Sequence, residues 1–253
     1  MSTPYFRFKQ FTIFHDRCAM KVGTDGVLLG CWAIIPPYPS PQGRGIRILD
    51  IGTGSGLIAR MLMQRFPEAE VEGIDIDEAA VEQAKENMRA YPCPLPKGKG
   101  TGSIYLSRLQ EWDPGYEYDL IVSNPPYFQN SLKNPDKGRE LARHTDSLSY
   151  EELLSHSARL LTMHGQLAII LPADAEQEIC TLAARHSLYP THVTRVYSKE
   201  SKPPRRVLLQ FEKSESQDHG ITESRPLEDT LVLEDDKGGR SAAYQELAKD
   251  FYL

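Results

Sequence analysis

The sequence predicts an α/β fold, a doubly wound and mostly parallel sheet of seven strands with one antiparallel strand at its edge. From about Gly45 onward, short apolar stretches alternate with segments of helical spacing, which is typical of parallel sheets covered by helices on both faces. The last two apolar stretches are joined by residues 198–205, which lack a helical pattern. This connection favours a hairpin, and a hairpin makes one strand antiparallel.

The strands are predicted from apolar stretches that end at turn-forming or charged residues. They cover residues 46–51, 70–74, 103–106, 118–123, 166–171, 192–197 and 206–212.

Helices are predicted from apolar residues recurring every three or four positions. One begins after Asp77, a suitable N-cap, and another is expected to end before Gly165. The predicted helices cover residues 27–33, 57–66, 78–91, 150–163 and 173–186, with a further one from about residue 241.

Three parts of the chain fall outside this alternation. We expect residues 1–44 to form an extension covering the active site and residues 45–213 to form the α/β domain. Residues 214–253 should add a short strand near 231–233 and a helix, packed on the same domain. Residues 130–148 form a long polar loop, and long loops in compact domains often carry function.

The bulk composition is that of an ordinary globular protein. Hydrophobic residues make up 40% of the chain and charged residues 25%, and the formal net charge is −6. No stretch approaches the roughly 18 apolar residues of a membrane span, and residues 1–10 lack the apolar run of a signal peptide. The four cysteines are scattered without zinc-ligand spacing. We expect a cytoplasmic protein, a monomer or weak dimer, with reduced thiols, no metal and no membrane partner.

A glycine-rich turn follows the first predicted strand and opens the first helix of the domain. Residues 50–56 read D-I-G-T-G-S-G, so the backbone can turn sharply close to a ligand. The G-x-G-x-G spacing differs from the G-x-G-x-x-G of dinucleotide-binding proteins. Asp50 would repel a pyrophosphate but would stabilise a sulfonium and an ammonium group. Asp50, Gly52, Gly54 and Gly56 are therefore predicted to bind S-adenosylmethionine, which carries both cations and no phosphate.

The second strand ends in another candidate for cofactor binding. Asp75 lies 19 residues beyond Gly56, where an acidic side chain can accept hydrogen bonds from both hydroxyls of a ribose. Asp75 and the adjacent Ile76 are assigned to the cofactor site.

Together these segments resemble the cofactor-binding half of the class I S-adenosylmethionine-dependent methyltransferases, which are Rossmann-like. In that family the third strand usually ends in an acid that accepts a hydrogen bond from the cofactor's adenine amine. Ser107, Arg108 and Leu109 stand at this point here. Arginine cannot accept a hydrogen bond, so we expect the adenine to contact the backbone, Ser107 or Leu109.

The fourth strand ends in Asn124-Pro125-Pro126-Tyr127, the most specific motif in the chain. The two prolines fix the backbone, so the Asn124 side chain and the Pro125 carbonyl keep one orientation. Both oxygens can accept hydrogen bonds from a planar amine, and Tyr127 can stack on the ring that carries it. The motif resembles that of methyltransferases acting on the amine of adenine, guanine or a glutamine amide. Asn124 is also expected to contact the cofactor.

The N-terminal block narrows the resemblance. Residues 8–11 read F-K-Q-F and residues 15–30 read H-D-R-C-A-M-K-V-G-T-D-G-V-L-L-G, with Gly23, Gly26 and Gly30 suggesting a turn near a ligand. With Asn-Pro-Pro-Tyr, this block closely resembles the bacterial tRNA1(Val) adenine-N6-methyltransferases over nearly the whole chain. The resemblance implies methylation of the adenosine immediately 3′ of the anticodon, at position 37. It also implies that Lys21 and Thr24 line the cofactor pocket.

The resemblance suggests a role for the basic residues of two loops. Ligands of open α/β sheets bind beyond the carboxyl ends of the strands, so these loops are predicted to border the site and hold phosphates of a tRNA anticodon stem-loop. The candidates are Lys133, Lys137, Arg139, Arg143, Lys199, Lys202, Arg205 and Arg206.

Other functions were weighed against these motifs. A release-factor glutamine methyltransferase would carry a helical domain before the sheet, and a ribosomal RNA guanine-N2 methyltransferase usually has another aromatic after the prolines or a duplicated domain. A DNA adenine methyltransferase needs a target-recognition domain. The G-x-G-x-G spacing with Asp50 disfavours a nicotinamide-dependent dehydrogenase, and the set of methyl-transfer residues disfavours a non-catalytic RNA-binding protein.

Overall fold

A computed structural model of the chain describes residues 3–36, 45–89, 102–126, 148–214 and 225–252. Within these residues a two-stranded hairpin precedes a sheet of eight strands. The hairpin consists of β1 (Tyr5–Arg7) and β2 (Thr12–Phe14). The sheet contains β3 (Arg47–Ile51), β4 (Glu70–Asp75), β5 (Gly102–Leu106), β6 (Tyr118–Ser123), β7 (Leu161–Pro172), β8 (Leu188–Tyr197), β9 (Arg206–Lys213) and β10 (Leu227–Val232).

The strand order is β10-β8-β9-β7-β6-β3-β4-β5. Strands β3 to β7 run parallel, β9 is antiparallel to both β7 and β8, and β10 is parallel to β8. The predicted fold class is confirmed, but two details need correction. The described sheet has eight strands rather than seven, and its antiparallel strand lies inside the sheet rather than at the edge. The eighth strand is β10, the short strand expected near residues 231–233, which pairs with β8 at the edge of the sheet. The antiparallel strand is internal because β9 inserts between β7 and β8 instead of lying beyond β8.

Helices cover both faces of the sheet. They are α1 (Thr24–Trp32), α2 (Leu57–Arg65), α3 (Glu78–Arg89), α4 (Tyr150–Leu160), α5 (Glu176–Ala184) and α6 (Ala242–Leu247). Side chains of the strands alternate between the faces, as the pleat requires. Leu120 packs in the core under α1 and α2, whereas Ile121 packs in the core under α4 and α5. Two cores on opposite faces are the mark of a doubly wound sheet.

Helix α4 shows how local sequence sets one helix start. Ser149 accepts a hydrogen bond from the backbone N–H of Glu152, and the Glu152 carboxylate accepts one from the backbone N–H of Ser149. The helix ends at Leu160, earlier than predicted, because β7 begins at Leu161. Gly165 thus lies within a strand rather than at the end of a helix.

Of the three glycines expected to mark a turn, only Gly23 precedes α1. Gly26 lies inside this helix, and so does Gly30, in agreement with the helix predicted over residues 27–33. They face α2, where a Cβ on Gly26 would lie 3.1 Å from the Leu57 side chain. A Cβ on Gly30 would lie 2.6 Å from the Met61 sulfur. These glycines let the two helices approach closely, so they serve helix packing.

The N-terminal hairpin packs against the C-terminal end of the chain. The backbone N–H of Lys9 donates to the carbonyl of Phe251 at 2.8 Å, and the Phe8 ring stacks on Phe11 and Tyr252. This aromatic cluster joins the core under α1 and α2. Among the described residues, no helix combines the length and apolar character needed to cross a membrane.

Candidate active site

The glycine loop between β3 and α2 has three residues in the left-handed backbone region. The φ angles are 69° at Gly52, 54° at Gly54 and 76° at Gly56, which glycine adopts at little cost. A Cβ on Gly56 would lie 3.2 Å from the Cβ of Ala84 in α3. On Gly52 or Gly54 it would meet no atom of the described residues within 4 Å. Gly56 therefore faces protein, while Gly52 and Gly54 leave their backbone open to a ligand.

Asp50 lies buried beneath this loop. Its Oδ2 accepts hydrogen bonds from the Thr53 hydroxyl at 2.7 Å and from the backbone N–H of Ala59 at 3.1 Å. Its Oδ1 is buried without a hydrogen-bond partner among the described residues. Burial raises the pKa of Asp50 to about 7, because the charged form loses its hydration. Asp50 thus ties the loop to α2, and its predicted attraction for the cofactor's cations remains a prediction.

A cavity of 310 Å³ lies at the carboxyl ends of β3, β4, β5 and β6, and we call it the adenosine lobe. Its walls include eight residues assigned to the cofactor from sequence: Gly52, Gly54, Asp75, Ile76, Ser107, Arg108, Leu109 and Asn124. The sheet places the Ser107 to Leu109 segment in this wall, because β5 pairs with β4 and ends beside Asp75. The backbone N–H of Ser107 donates to the carbonyl of Asp75 at 2.9 Å.

Asp75 is fixed by backbone donors on both sides. Its Oδ2 accepts from the N–H of Gly54 at 2.8 Å, and its Oδ1 accepts from the N–H of Asp77 at 3.0 Å. A carboxylate has about four acceptor sites, so two such bonds leave capacity for a diol. Asp77 accepts from the N–H of Ala79 at 2.9 Å, which confirms its predicted role as the N-cap of α3.

A second cavity of 370 Å³, the catalytic lobe, shares Met20, Gly52, Gly54 and Asn124 with the adenosine lobe. Lys21 and Thr24, implied by the resemblance to line the pocket, are both in its wall. Arg206 is there too, and its Nε donates to the Asp25 carboxylate at 3.0 Å. The structure therefore places Arg206 in the pocket wall as part of an ion pair, although it was assigned to RNA binding.

Asn124 stands where the two lobes meet, directly after β6. The preceding Ser123 is buried, and its hydroxyl donates to the carbonyl of Ile51 at 2.9 Å, which fastens the end of β6 to the end of β3. Pro125 is buried and Pro126 is exposed, so the motif runs from the core to the surface. Tyr127, the fourth residue of the motif, lies outside the described residues.

Several wall residues were not predicted from the sequence. Cys18, Ala19 and Met20 line the adenosine lobe, although they precede the α/β domain. Burial raises the pKa of the Cys18 thiol to about 11, so it stays protonated at neutral pH. Polar residues at buried positions of α3, Gln83 and Asn87, were an available signal, since buried amides need hydrogen-bond partners from elsewhere in the chain.

Apart from Arg206, the seven predicted RNA-contacting residues divide into two groups. Lys199, Lys202 and Arg205 are in the connection between β8 and β9, where Lys199 pairs with Glu234 at 3.5 Å. Lys133, Lys137, Arg139 and Arg143 lie outside the described residues. RNA binding by either group stays a prediction.

The two lobes fit an S-adenosyl cofactor on two observations of their walls and one of the residue buried beneath them. The backbone of the glycine loop is open where a Cβ would fill space, Asp75 keeps acceptor capacity, and the buried Asp50 Oδ1 lacks a partner among the described residues. The described residues contain no group of three His, Cys, Asp or Glu side chains placed to bind a metal. A mostly parallel sheet that carries the glycine loop, Asp75 and Asn-Pro-Pro at the ends of β3, β4 and β6 defines a methyltransferase of class I.

Comparisons with known proteins agree with this class and narrow it. The methyltransferase small domain family matches residues 38–184. A protein of Parabacteroides distasonis named tRNA1(Val) (adenine(37)-N6)-methyltransferase is 43% identical over 100% of this chain and 99% of its own length. A protein of Bacteroides thetaiotaomicron with the same name is 42% identical, again over 100% of this chain and 99% of its own length. The chain therefore belongs to the tRNA1(Val) (adenine(37)-N6)-methyltransferase family.

Solved structures support the fold at low sequence identity. A predicted O-methyltransferase from Agrobacterium tumefaciens aligns with a TM-score of 0.61 at 16% identity, covering 90% of this chain and 96% of that one. A protein from Listeria monocytogenes, described as a class I S-adenosylmethionine-dependent methyltransferase, aligns with a TM-score of 0.53 at 16% identity. It covers 76% of this chain and 61% of that one. At 16% sequence identity the two matches support the fold alone.

Proposed function

We propose that this enzyme transfers a methyl group from S-adenosylmethionine to the N6 amine of adenosine 37 in tRNA1(Val), in the cytoplasm. The observation that carries the proposal is the position of Asn124 at the junction of the two lobes. An amine held by Asn124 would lie beside the glycine loop that lines both lobes. The relatives' names supply the base, the atom and the RNA.

The chain's own residues would hold the cofactor in two parts. Asp75 would accept hydrogen bonds from the ribose hydroxyls, while Ser107 and Leu109 would flank the adenine and Arg108 would border it. Lys21 and Thr24, in the wall of the catalytic lobe, would lie nearer the amino-acid end. The bound cofactor supplies an electrophilic methyl group on a sulfonium, which is a good leaving group.

Asn124 and Pro125 would prepare the nucleophile. The Asn124 amide oxygen and the Pro125 carbonyl oxygen each accept one hydrogen from the N6 amine. Electron density then stays on that nitrogen, which can move toward tetrahedral geometry as it attacks. After the attack the methylated amine is positively charged and releases its proton to water, so the site needs positioned acceptors rather than a strong base. Tyr127 would stack on the target base.

The N-terminal part of the chain would complete the site. Cys18, Ala19 and Met20 in the wall of the adenosine lobe support an extension, residues 1–44, that covers the pocket of the domain formed by 45–213. Residues 214–253 would pack on the same domain. The basic residues of 133–143 and of 199–206 would hold phosphates of the anticodon stem-loop.

The proposal is tested with purified enzyme and two transcripts of the anticodon stem-loop, one with adenosine 37 and one with guanosine 37. We expect N6-methyladenosine, detected by mass spectrometry of nucleosides, only with the first transcript. Asn124→Ala should lower the single-turnover rate by about 10²–10³, the cost of losing one positioned transition-state contact, with cofactor affinity little changed. Asn124→Asp keeps an acceptor and should retain more activity than Asn124→Ala. Methylation of the guanosine transcript, or a near wild-type rate for Asn124→Ala, would overturn the assignment.

A further inference from the structure

Helix α3 carries two amide side chains on its buried face. Gln83 is 2% exposed and Asn87 is 1% exposed, and the two positions are four residues apart, on the same side of the helix. A buried amide is costly unless its donors and acceptor are satisfied. The partners of these two amides therefore show what this face of α3 is built to hold.

Asn87 joins two separate parts of the pocket's frame. Its Oδ1 accepts from the backbone N–H of Phe14 at 2.9 Å, and its Nδ2 donates to the Phe14 carbonyl at 2.8 Å. The same Nδ2 donates to the carbonyl of Ser55 at 2.8 Å, and Ser55 belongs to the glycine loop. One side chain thus holds the N-terminal segment and the glycine loop in a fixed relation.

Gln83 repeats this arrangement one helical turn away. Its Oε1 accepts from the backbone N–H of Arg17 at 2.8 Å, and its Nε2 donates to the Asp16 carboxylate at 3.0 Å. This hydrogen bond lowers the pKa of Asp16, which keeps the carboxylate charged as an acceptor. An ion pair between Arg17 and Glu86 adds a third attachment to α3.

The segment fixed in this way leads directly into the pocket wall. Cys18, Ala19 and Met20 follow Arg17 and line the adenosine lobe, and Lys21 lines the catalytic lobe. The chain is fastened again just beyond, where the buried His15 ring accepts at Nδ1 from the N–H of Val22 at 3.3 Å. Residues 14–22 therefore form a strap with both ends tied, and α3 holds the end that approaches the glycine loop.

We infer that Asn87 and Gln83 are positioning residues for cofactor binding, which set the N-terminal strap against the glycine loop although neither amide lines the cavities. The inference rests on the proposed use of S-adenosylmethionine. Cofactor binding and ordering of the strap are coupled in this arrangement. The cofactor must therefore favour the ordered strap by the same factor by which the ordered strap raises cofactor affinity.

Three variants test the inference: Asn87→Ala, Gln83→Ala and the control Gln210→Ala. Gln210 is also a buried amide with paired backbone bonds, since its Oε1 accepts from the Ile34 N–H at 3.2 Å and its Nε2 donates to the Ile34 carbonyl at 2.9 Å. It lies in β9 and is absent from the walls of both lobes. Its loss should lower stability to a similar degree without touching the strap.

Calorimetry with S-adenosylmethionine and with S-adenosylhomocysteine gives the main result. We expect Asn87→Ala to weaken binding about tenfold or more and Gln83→Ala somewhat less, with wild-type affinity in Gln210→Ala. At saturating cofactor, the single-turnover rate of Gln83→Ala should recover to nearly the wild-type value, because the reacting groups are unchanged.

Hydrogen exchange supplies a readout that general destabilisation would not reproduce. Adding S-adenosylhomocysteine to the wild type should slow exchange of the amides in residues 14–22, and this protection should be lost in Asn87→Ala and Gln83→Ala. Equal affinities in all three variants, or cofactor-induced protection retained in Gln83→Ala, would overturn the inference. If the wild type binds neither compound, the proposed function fails instead, which keeps the two failures apart.

Discussion

A pair of alanine substitutions in the glycine loop separates ligand contact from folding. Gly54 and Gly56 have similar left-handed backbones, with φ of 54° and 76°, so alanine at either position meets the same intrinsic strain. That strain is about 1–2 kcal/mol per residue. The surroundings differ, since a Cβ on Gly56 would press on Ala84 at 3.2 Å, whereas one on Gly54 would meet no atom of the described residues within 4 Å.

The magnitudes follow from this difference. For a chain of this size 1 kcal/mol corresponds to about 2–4 °C in the melting temperature, so Gly54→Ala should melt about 2–8 °C below wild type. Gly56→Ala should fall further, because α3 must also shift. A cofactor at about 100 times its Kd stabilises the folded protein by about 2.7 kcal/mol. Gly54→Ala should lose most of this increment, since its new methyl group occupies the ligand's side of the loop.

The assay is thermal unfolding with and without S-adenosylhomocysteine at one fixed concentration. Wild type and Gly56→Ala should show a clear upward shift on adding the ligand, and Gly54→Ala should show little. An undiminished ligand-induced shift in Gly54→Ala would refute the placement of the cofactor over Gly52 and Gly54.

Four further predictions concern other residues of the site. Asp75→Ala should weaken S-adenosylmethionine binding by about 1.5–3 kcal/mol, the scale of a charged hydrogen bond, and unchanged affinity in calorimetry would remove Asp75 from the site. Arg108→Asp should leave the affinity intact or raise it, because it restores an acceptor near the adenine, and a large loss would show that Arg108 makes an important contact. Burial raises the pKa of Asp50 in the folded protein to about 7, against 3.8 for the ordinary carboxyl. The unfolding free energy should therefore fall as the pH rises through that interval, because the folded protein binds the proton more tightly than the unfolded chain. Urea unfolding of Asp50→Asn should show a flatter dependence, and an identical slope would contradict the assignment. The last prediction concerns four basic residues of the 130–148 loop: Lys133, Lys137, Arg139 and Arg143. Replacing all four by alanine should weaken tRNA binding and reduce its salt dependence without changing cofactor affinity. An unchanged salt slope would place this loop away from the RNA.

Elements that depend on local pattern could be predicted from the sequence alone. The strand and helix alternation predicted the doubly wound sheet, and the strand ends could be located because glycine, acid and Asn-Pro-Pro follow apolar stretches at fixed offsets. The topology of such a sheet then brings these ends to one edge, which is why eight cofactor candidates line the adenosine lobe. Asp77 as a helix cap was equally predictable, since a cap acts within two or three residues.

Features that depend on partners distant in the sequence could be seen only in the folded chain. β10 lies at the edge of the sheet because it pairs with β8, and its polar sequence does not indicate this pairing. Gly30 serves close packing of α1 on α2, and Arg206 turns into the pocket wall to pair with Asp25. The same holds for Asn87, whose hydrogen bonds to Phe14 and Ser55 span 73 and 32 residues. A helical pattern shows that such a side chain is buried, but the free energy of burying its amide depends on partners that only the folded chain brings within hydrogen-bonding distance.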